Sequence, residues 1–259
     1  MRAPLNIAPS PSDFIVPDSD AVLPPSPPVS GLLGWWRASD LVLAVPNLTY
    51  WSDASPAGND LQSYPIGSLD PQVVINSGIQ AVQFQPGENA MSTQLHGPVW
   101  VGSAQRTMIA VWKNLNPAAN SAICGQPGNG DDDTMFGFLA PAGNALYLGG
   151  YNHDIDAQIS YSNAWTFAIA TYNGGSNNAA GVLHSNQLSF VYNFNNPPGV
   201  FSTPLNTSTE HFYLGYDQLL GWTSDICIAE IICYDRVLSA TEITTIKTYF
   251  LNKFGIVSV

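Results

Sequence analysis

Asp225-Ile-Cys-Ile-Ala-Glu230-Ile-Ile-Cys-Tyr-Asp-Arg236-Val-Leu-Ser239-Ala-Thr-Glu242, running on to Phe254-Gly255, decides the fold. Its first half is almost wholly apolar and reads as one strand buried on both faces. A tight turn follows. Ser239 then opens a helix, because its side chain can accept from the N–H of the third helical residue while Glu242 reaches back, a capping box. Ile243, Ile246, Phe250 and Phe254 recur at helical spacing, and Thr244, Thr248 and Asn252 fall on the opposite face. Almost no other helix signal appears in the 259 residues. A lone amphipathic helix after many strands predicts an all-β sandwich with a helical lid.

Working outward, short apolar runs are separated by Gly, Pro and Asn turns from Gly31 onward, which is how sandwiches read. Strands are expected over 32–36, 80–84, 107–112, 135–139, 145–148, 165–172, 188–194, 212–215 and 226–234. The runs at 107–112 and 226–232 are apolar on both faces, as central strands are. Residues 31–259 show no internal repeat and no second composition break, so they are read as one domain.

Residues 1–30 differ. They hold eight of the chain's 20 prolines, including Pro24-Pro25-Ser-Pro27-Pro28, and no usable hydrophobic period. Such a segment favours an extended, polyproline-like arm. Leu5, Ile7, Phe14, Ile15, Val16, Val22 and Leu23 are spaced along it as the apolar anchors of a docking peptide, for a partner or for its own domain.

Seven basic and 19 acidic residues give a net charge of −12, with the basic ones scattered singly. That balance repels phosphate backbones and argues against nucleic-acid binding. No run approaches the length of a membrane-spanning helix, and the N-terminus lacks the apolar core of a signal peptide. Cys227 and Cys233 are about 20 Å apart along one extended strand and cannot bridge each other there. With Cys124 they are expected to be buried thiols, although Cys124 could meet one of them.

Three blocks together resemble the concanavalin A-like sandwiches and, within them, the laminin G-like jelly-roll modules of bacterial surface and phage proteins. The first is Gly34-Trp35-Trp36-Arg-Ala38-Ser39-Asp40 with Trp51-Ser-Asp53-Ala-Ser55 and Gly58-Asn59-Asp60. The second is Gln80-Ala-Val-Gln-Phe84, and the third runs from Trp222 through Asp225, Glu230 and Ser239 to Gly255. Two positions depart from the pattern: Gln85-Pro86-Gly87 follows Phe84 where Phe-Asp-Gly is frequent, and Ser224 stands where a glycine is frequent. The resemblance implies a jelly roll with one C-terminal helix behind an extended Pro-rich N-terminal arm, and makes Glu230 a structural acid paired with Arg236.

Hydrolysis of glycosides needs two carboxylates about 5–10 Å apart, and no alternating run of acids of the Glu-x-Asp-x-x-Glu kind is present. No nucleophile elbow, metal-binding His pair or phosphate loop is found either. Gly128-Asn129-Gly130-Asp131-Asp132-Asp133 offers oxygen donors of the kind calcium takes, through Asp131, Asp132 and Asp133, but also reads as a solvated turn. No other cofactor is implied. Sugars offer apolar faces and hydroxyl rims, so aromatic rings beside amides and carboxylates are the candidate glycan contacts. Tyr151, His153 and Asp154 form one such cluster, and Tyr216, Asp217 and Trp222 another.

The expected function is that of a non-enzymatic virion structural protein of a phage, a capsid decoration or tail-associated subunit. Its arm would dock on other virion or surface proteins, and its outward domain would meet glycans. A homo-oligomer at the virion surface is the matching assembly. Two alternatives stand beside it: a carbohydrate-binding module of a secreted or surface system, and a glycoside hydrolase with unrecognised acids.

Overall fold

Alternating apolar positions sort the described residues into two large antiparallel sheets, a two-stranded hairpin and one α-helix. The structure, a computed structural model, describes residues 26–43, 47–67, 69–87, 90–93, 99–143, 145–152, 154–159, 164–176, 181–186, 188–192, 203–207 and 211–256. The seven anchors expected along the arm, from Leu5 to Leu23, and His153 lie outside the described residues.

The first strands are β1 (Leu32–Arg37), β2 (Tyr50–Trp51), β3 (Leu61–Tyr64), β4 (Gln72–Asn76), β5 (Ile79–Phe84) and β6 (Ala90–Ser92). Then come β7 (Arg106–Asn114), β8 (Ser121–Gln126), β9 (Phe136–Ala140), β10 (Ala145–Gly149), β11 (Ile155–Ile159) and β12 (Thr166–Tyr172). The last are β13 (Gly181–Ser185), β14 (Leu188–Tyr192), β15 (Tyr213–Leu214), β16 (Tyr216–Asp217), β17 (Trp222–Thr223) and β18 (Ile226–Tyr234), before helix α1 (Ala240–Phe254).

One sheet has seven strands in the order β13-β12-β7-β18-β5-β4, with β1 also paired to β18. The other has nine, β14-β11-β10-β9-β8-β15-β6-β3-β2, and β16 with β17 makes a separate hairpin. The main core lies between the two large sheets and includes Trp36, Trp51, Trp112, Phe136, Phe138 and Phe212. Central strands β7 and β18 are buried along their whole length, as their two apolar faces predict.

Helix α1 seals the other face of the seven-stranded sheet. Ser239 accepts from the Glu242 N–H, Glu242 bonds back to the Ser239 N–H at 2.8 Å, and Gly255 ends the helix at a left-handed φ of 68°. Ile246 and Phe250 are buried beneath it, with Ile243 and Phe254 at the edges. Phe250 meets Phe167 of β12 at 5.4 Å between ring centroids. Thr244, Thr248 and Asn252 face solvent as expected.

A bulge in β18 sets which residues meet the helix. The register against β7 slips between Ile228 and Glu230, so Ala229 and Glu230 occupy one step of the ladder. Ile226 and Ile228 enter the main core before the slip, and Ile231 and Cys233 enter it after. Cys227, Ala229, Ile232 and Tyr234 face the helix. Cys227 and Cys233 are therefore on opposite faces, not merely distant, and all three cysteines are free and buried.

The same slip turns Glu230 toward the helix, where it is 1% exposed. It accepts from Trp35 Nε1 at 2.5 Å, Tyr249 Oη at 2.9 Å and Lys253 Nζ at 2.7 Å. The pairing expected from the sequence is corrected here. Lys253, one helical turn beyond Tyr249, is the charged partner of Glu230, while Arg236 makes two bonds to Glu242, at 2.6 and 2.9 Å.

Asp53 organises the block at 51–60. Its carboxylate accepts from the N–H groups of Trp35, Ser55 and Asn59 at 2.7–2.8 Å, and Asn59 in turn accepts from Trp36 Nε1. A short polar loop is thereby fastened to β1.

Candidate functional site

Strand alternation sends a second set of side chains to the outer face of the nine-stranded sheet. On β9, Phe136, Phe138 and Ala140 enter the main core while Leu139 points away from it. On β10, Leu146 and Leu148 enter the core and Tyr147 lies outside. Ala122, Met135 and Leu139 form an apolar floor on this outer side, against which Tyr147, Tyr151, Leu219, Leu220 and Trp222 pack. Gly149 keeps space above the sheet for that floor, since a Cβ there would come within 2.7 Å of Met135 Sδ. The cleft left between these groups measures about 230 Å³.

One wall is the β16–β17 hairpin. Asp217, buried, accepts from the Leu220 N–H at 2.7 Å and so closes the turn at 218–221. Burial pushes its carboxyl up from the usual range, and the backbone N–H groups of Leu220 and Leu219 partly oppose this. Tyr216 stacks on Tyr64 and meets Tyr213 edge-on, while Tyr213 Oη donates to Gln218 Oε1 at 2.9 Å. Ser224, fully buried, donates to the Ala122 carbonyl. These anchors hold Leu220 and Trp222 over the floor.

The opposite wall joins two loops. The Asp133 N–H donates to the Tyr151 carbonyl at 3.3 Å and the Met135 N–H to the Gly150 carbonyl at 3.4 Å. Asn152 Nδ2 donates to Asp132 Oδ1 at 2.7 Å, and the Gly150 N–H donates to Asp154 Oδ1 at 2.9 Å. Tyr151 and Asn152 both take left-handed backbone, φ 64° and 60°. That conformation costs about 1–2 kcal/mol for a residue with a side chain, so these cross-loop bonds hold a strained turn that aims Tyr151 at the cleft.

Of the expected glycan contacts, the structure brings Tyr151, Asp154 and Trp222 into one cleft although about 70 residues separate them in sequence. Tyr216 and Asp217 do not line it: they serve the hairpin from behind. Asn152, within the first of the expected clusters, lines it too, and sequence reasoning missed Met135, Leu139, Tyr147 and Leu220, which complete the lining. The apolar ones look like core residues in a strand pattern. The available signal was Gly149, a small residue on the same outer face.

The three acids expected around calcium have separate partners. Asp131 accepts from Asn129 Nδ2, Asp132 from Asn152, and Asp133, buried, from the Thr203 N–H and Oγ1 at 3.0 and 2.8 Å. Among the described residues no group of three His, Cys, Asp or Glu is disposed to hold a metal ion. Among them, too, no helix is long and apolar enough to cross a membrane.

No family model and no curated protein matches the chain. Solved structures do. Trypanosoma rangeli sialidase in complex with sialic acid matches at 14% identity and a TM-score of 0.56, over 90% of this chain and 34% of the sialidase. Domain 4 of AbnA, a GH43 extracellular arabinanase of Geobacillus stearothermophilus, in complex with arabinotriose, matches at 13% and 0.52, over 82% of this chain and 96% of that domain. A GH54 α-L-arabinofuranosidase matches at 14% and 0.57, over 87% of this chain and 60% of the enzyme. The chain thus spans about a third of the length of the sialidase.

At such identities the likeness is one of fold. It corrects two expectations nonetheless. These neighbours are glycoside hydrolases, and the reading as a non-enzymatic phage virion subunit is withdrawn. The expectation that the chain is not an enzyme goes with it. Low charge and β-rich composition describe the sandwich whatever it carries, and so had no power to choose between particle and enzyme.

Proposed function

We propose that the chain is a carbohydrate-binding sandwich and that the cleft between Trp222 and Tyr151 receives the sugar. One observation carries this: the rings of Tyr147 and Tyr151, on β10 and the turn after it, and of Trp222, on the hairpin, line a single cleft with the Asn152 amide and the Asp154 carboxylate. Flat apolar rings suit the C–H faces of a sugar, and the polar groups suit its hydroxyls. Domain 4 of the arabinanase, solved with arabinotriose and matching over most of its own length, supports saccharide binding on this scaffold.

The fold reading behind the proposal is a concanavalin A-like, laminin G-like jelly roll. In its support, the chain passes repeatedly between the sheets, β6 in one, β7 in the other, β8 to β11 back in the first, and β12 and β13 again in the second.

Titration of the full chain against a panel of oligosaccharides tests the proposal. Binding should fall about tenfold or more in Trp222→Ala and in Tyr151→Ala, as for aromatic anchors at other interfaces. No binding to any glycan rejects it. The same panel, assayed for release of reducing ends, reads whether bound sugar is also cleaved. Asp154 is the one carboxylate among the described lining residues, and hydrolysis uses a pair.

A further inference from the structure

Among the described residues, the basic ones belong to one sheet, the turn after it and the helix that covers it. Of the seven basic residues, Arg2 lies outside the described residues. Arg37, Arg106 and Lys113 belong to β1 and β7 of the seven-stranded sheet, Arg236 to the turn after β18, and Lys247 and Lys253 to α1. None is on a strand of the nine-stranded sheet or in the hairpin that crosses it. The cleft side instead carries carboxylates: Asp154 in the lining, and Asp132 bonded to the lining residue Asn152. Exposed Asp131 adjoins them.

We infer that the cleft takes an uncharged sugar ring and rejects sialic and uronic acids. This rests on the carbohydrate-binding reading above and narrows it. A bound carboxylate would lie beside Asp154 in a partly desolvated cleft, where like charges repel far more than in water. Recognition of a carboxylate ordinarily uses an arginine fork or an equivalent cation, and the described lining offers none. The size of the cleft agrees with one ring. At about 230 Å³ it is smaller than the pockets of about 300–1,000 Å³ that enclose drug-sized ligands.

The test is an array of neutral hexose and pentose oligosaccharides beside sialylated and uronic-acid counterparts, followed by titration of matched pairs such as lactose and sialyllactose. The neutral member of each pair should bind about tenfold tighter or more at low salt, a gap of the size one unscreened charge contact produces. Raising the ionic strength to about 0.5 M, where screening acts within a few ångströms, should narrow the gap. Asp154→Asn should narrow it as well, and the salt series stands by itself where that variant fails to fold.

An acidic glycan bound more tightly than its neutral counterpart overturns the inference and leaves the carbohydrate-binding reading standing. A preference that salt leaves unchanged overturns its electrostatic origin. Absence of binding to every member of the array overturns both.

Discussion

The outer face of the seven-stranded sheet is sealed by a helix of 15 residues, whereas among the described residues the outer face of the nine-stranded sheet is crossed by a hairpin of two short strands. Under the helix, Glu230 has three donors around it and Phe250 fills the space above Phe167. Under the hairpin, Met135 and Leu139 are buried too, but Tyr147, Tyr151 and Trp222 above them stay half-buried around a cleft with a polar rim. The contrast teaches where each kind of residue is spent. One face uses aromatic rings and a buried ion pair to close the fold, and the other holds aromatic rings apart so that a cleft remains.

The comparison breaks first at Phe250. Phe250→Ala removes a fully buried ring from the helix interface and should destabilise the chain by about 4 kcal/mol in urea unfolding. Sugar affinity of the folded fraction should be unchanged, because the nine-stranded sheet has a separate outer face. Equal losses of stability and affinity would show that the two faces are not independent.

Trp222→Ala should give the reverse pattern. Trp222 is only half-buried, so unfolding stability should fall by less than about 1 kcal/mol, while glycan affinity drops by about 2 kcal/mol. A loss of several kcal/mol in stability would instead make Trp222 part of the core.

The helix cap adds a pH test. Hydrogen bonds from Arg236 hold the Glu242 carboxyl down at about 2, with Ser239 assisting, against the ordinary 4.5. A depressed folded-state value means that the stability is present above the ordinary value and is lost as pH falls from 4.5 toward 2. Glu242→Gln should remove that acid-side loss and cost about 1 kcal/mol at neutral pH, the worth of a typical cap. A melting series from pH 7 to about pH 2 checks both.

The smallest effect is expected on the hairpin side and has the opposite sign. Burial raises the Asp217 carboxyl above its ordinary 3.8, so its contribution is most favourable below that value and weakens as pH rises through the raised one. Asp217→Asn keeps an acceptor for the Leu220 N–H without the charge. It should stabilise the chain by a few tenths of a kcal/mol at neutral pH, visible as a small rise in Tm.

The capped helix is present and each of the nine strands expected from apolar runs overlaps an observed one, 188–194 being described as far as Tyr192, because they carry local signals of period and capping. Of the strands that went unread, Tyr50–Trp51, Ala90–Ser92, Tyr216–Asp217 and Trp222–Thr223 are two or three residues long, too short to show a period. Gln72–Asn76, with Val-Val-Ile at its centre, is longer, and its cue was available: the Ser77-Gly78 turn after it, with φ values of 50° and 81°, is a hairpin connection between β4 and β5. In the cleft, Tyr151, Asp154 and Trp222 were legible one by one as aromatic and polar loop residues. Their meeting was not, because it depends on the order β10-β9-β8 and on a hairpin folded across it. The turn-closing bond of Asp217 was hidden for a related reason. An aspartate that closes a turn and one that contacts a sugar look alike until the backbone N–H of Leu220 is placed.

The extra residue in β18 acts as a phase setter. Because Ala229 shares one ladder step with Glu230, the strand after it runs half a period out of step with the strand before it. The core positions are even-numbered before this point, Ile226 and Ile228, and odd-numbered after it, Ile231 and Cys233. Were the ladder ironed flat with all its residues kept, Glu230 would enter the inter-sheet core and Ile231 and Cys233 would turn toward the helix. Deleting Ala229 would instead leave plain alternation, with residues 230–234 on the faces they occupy now.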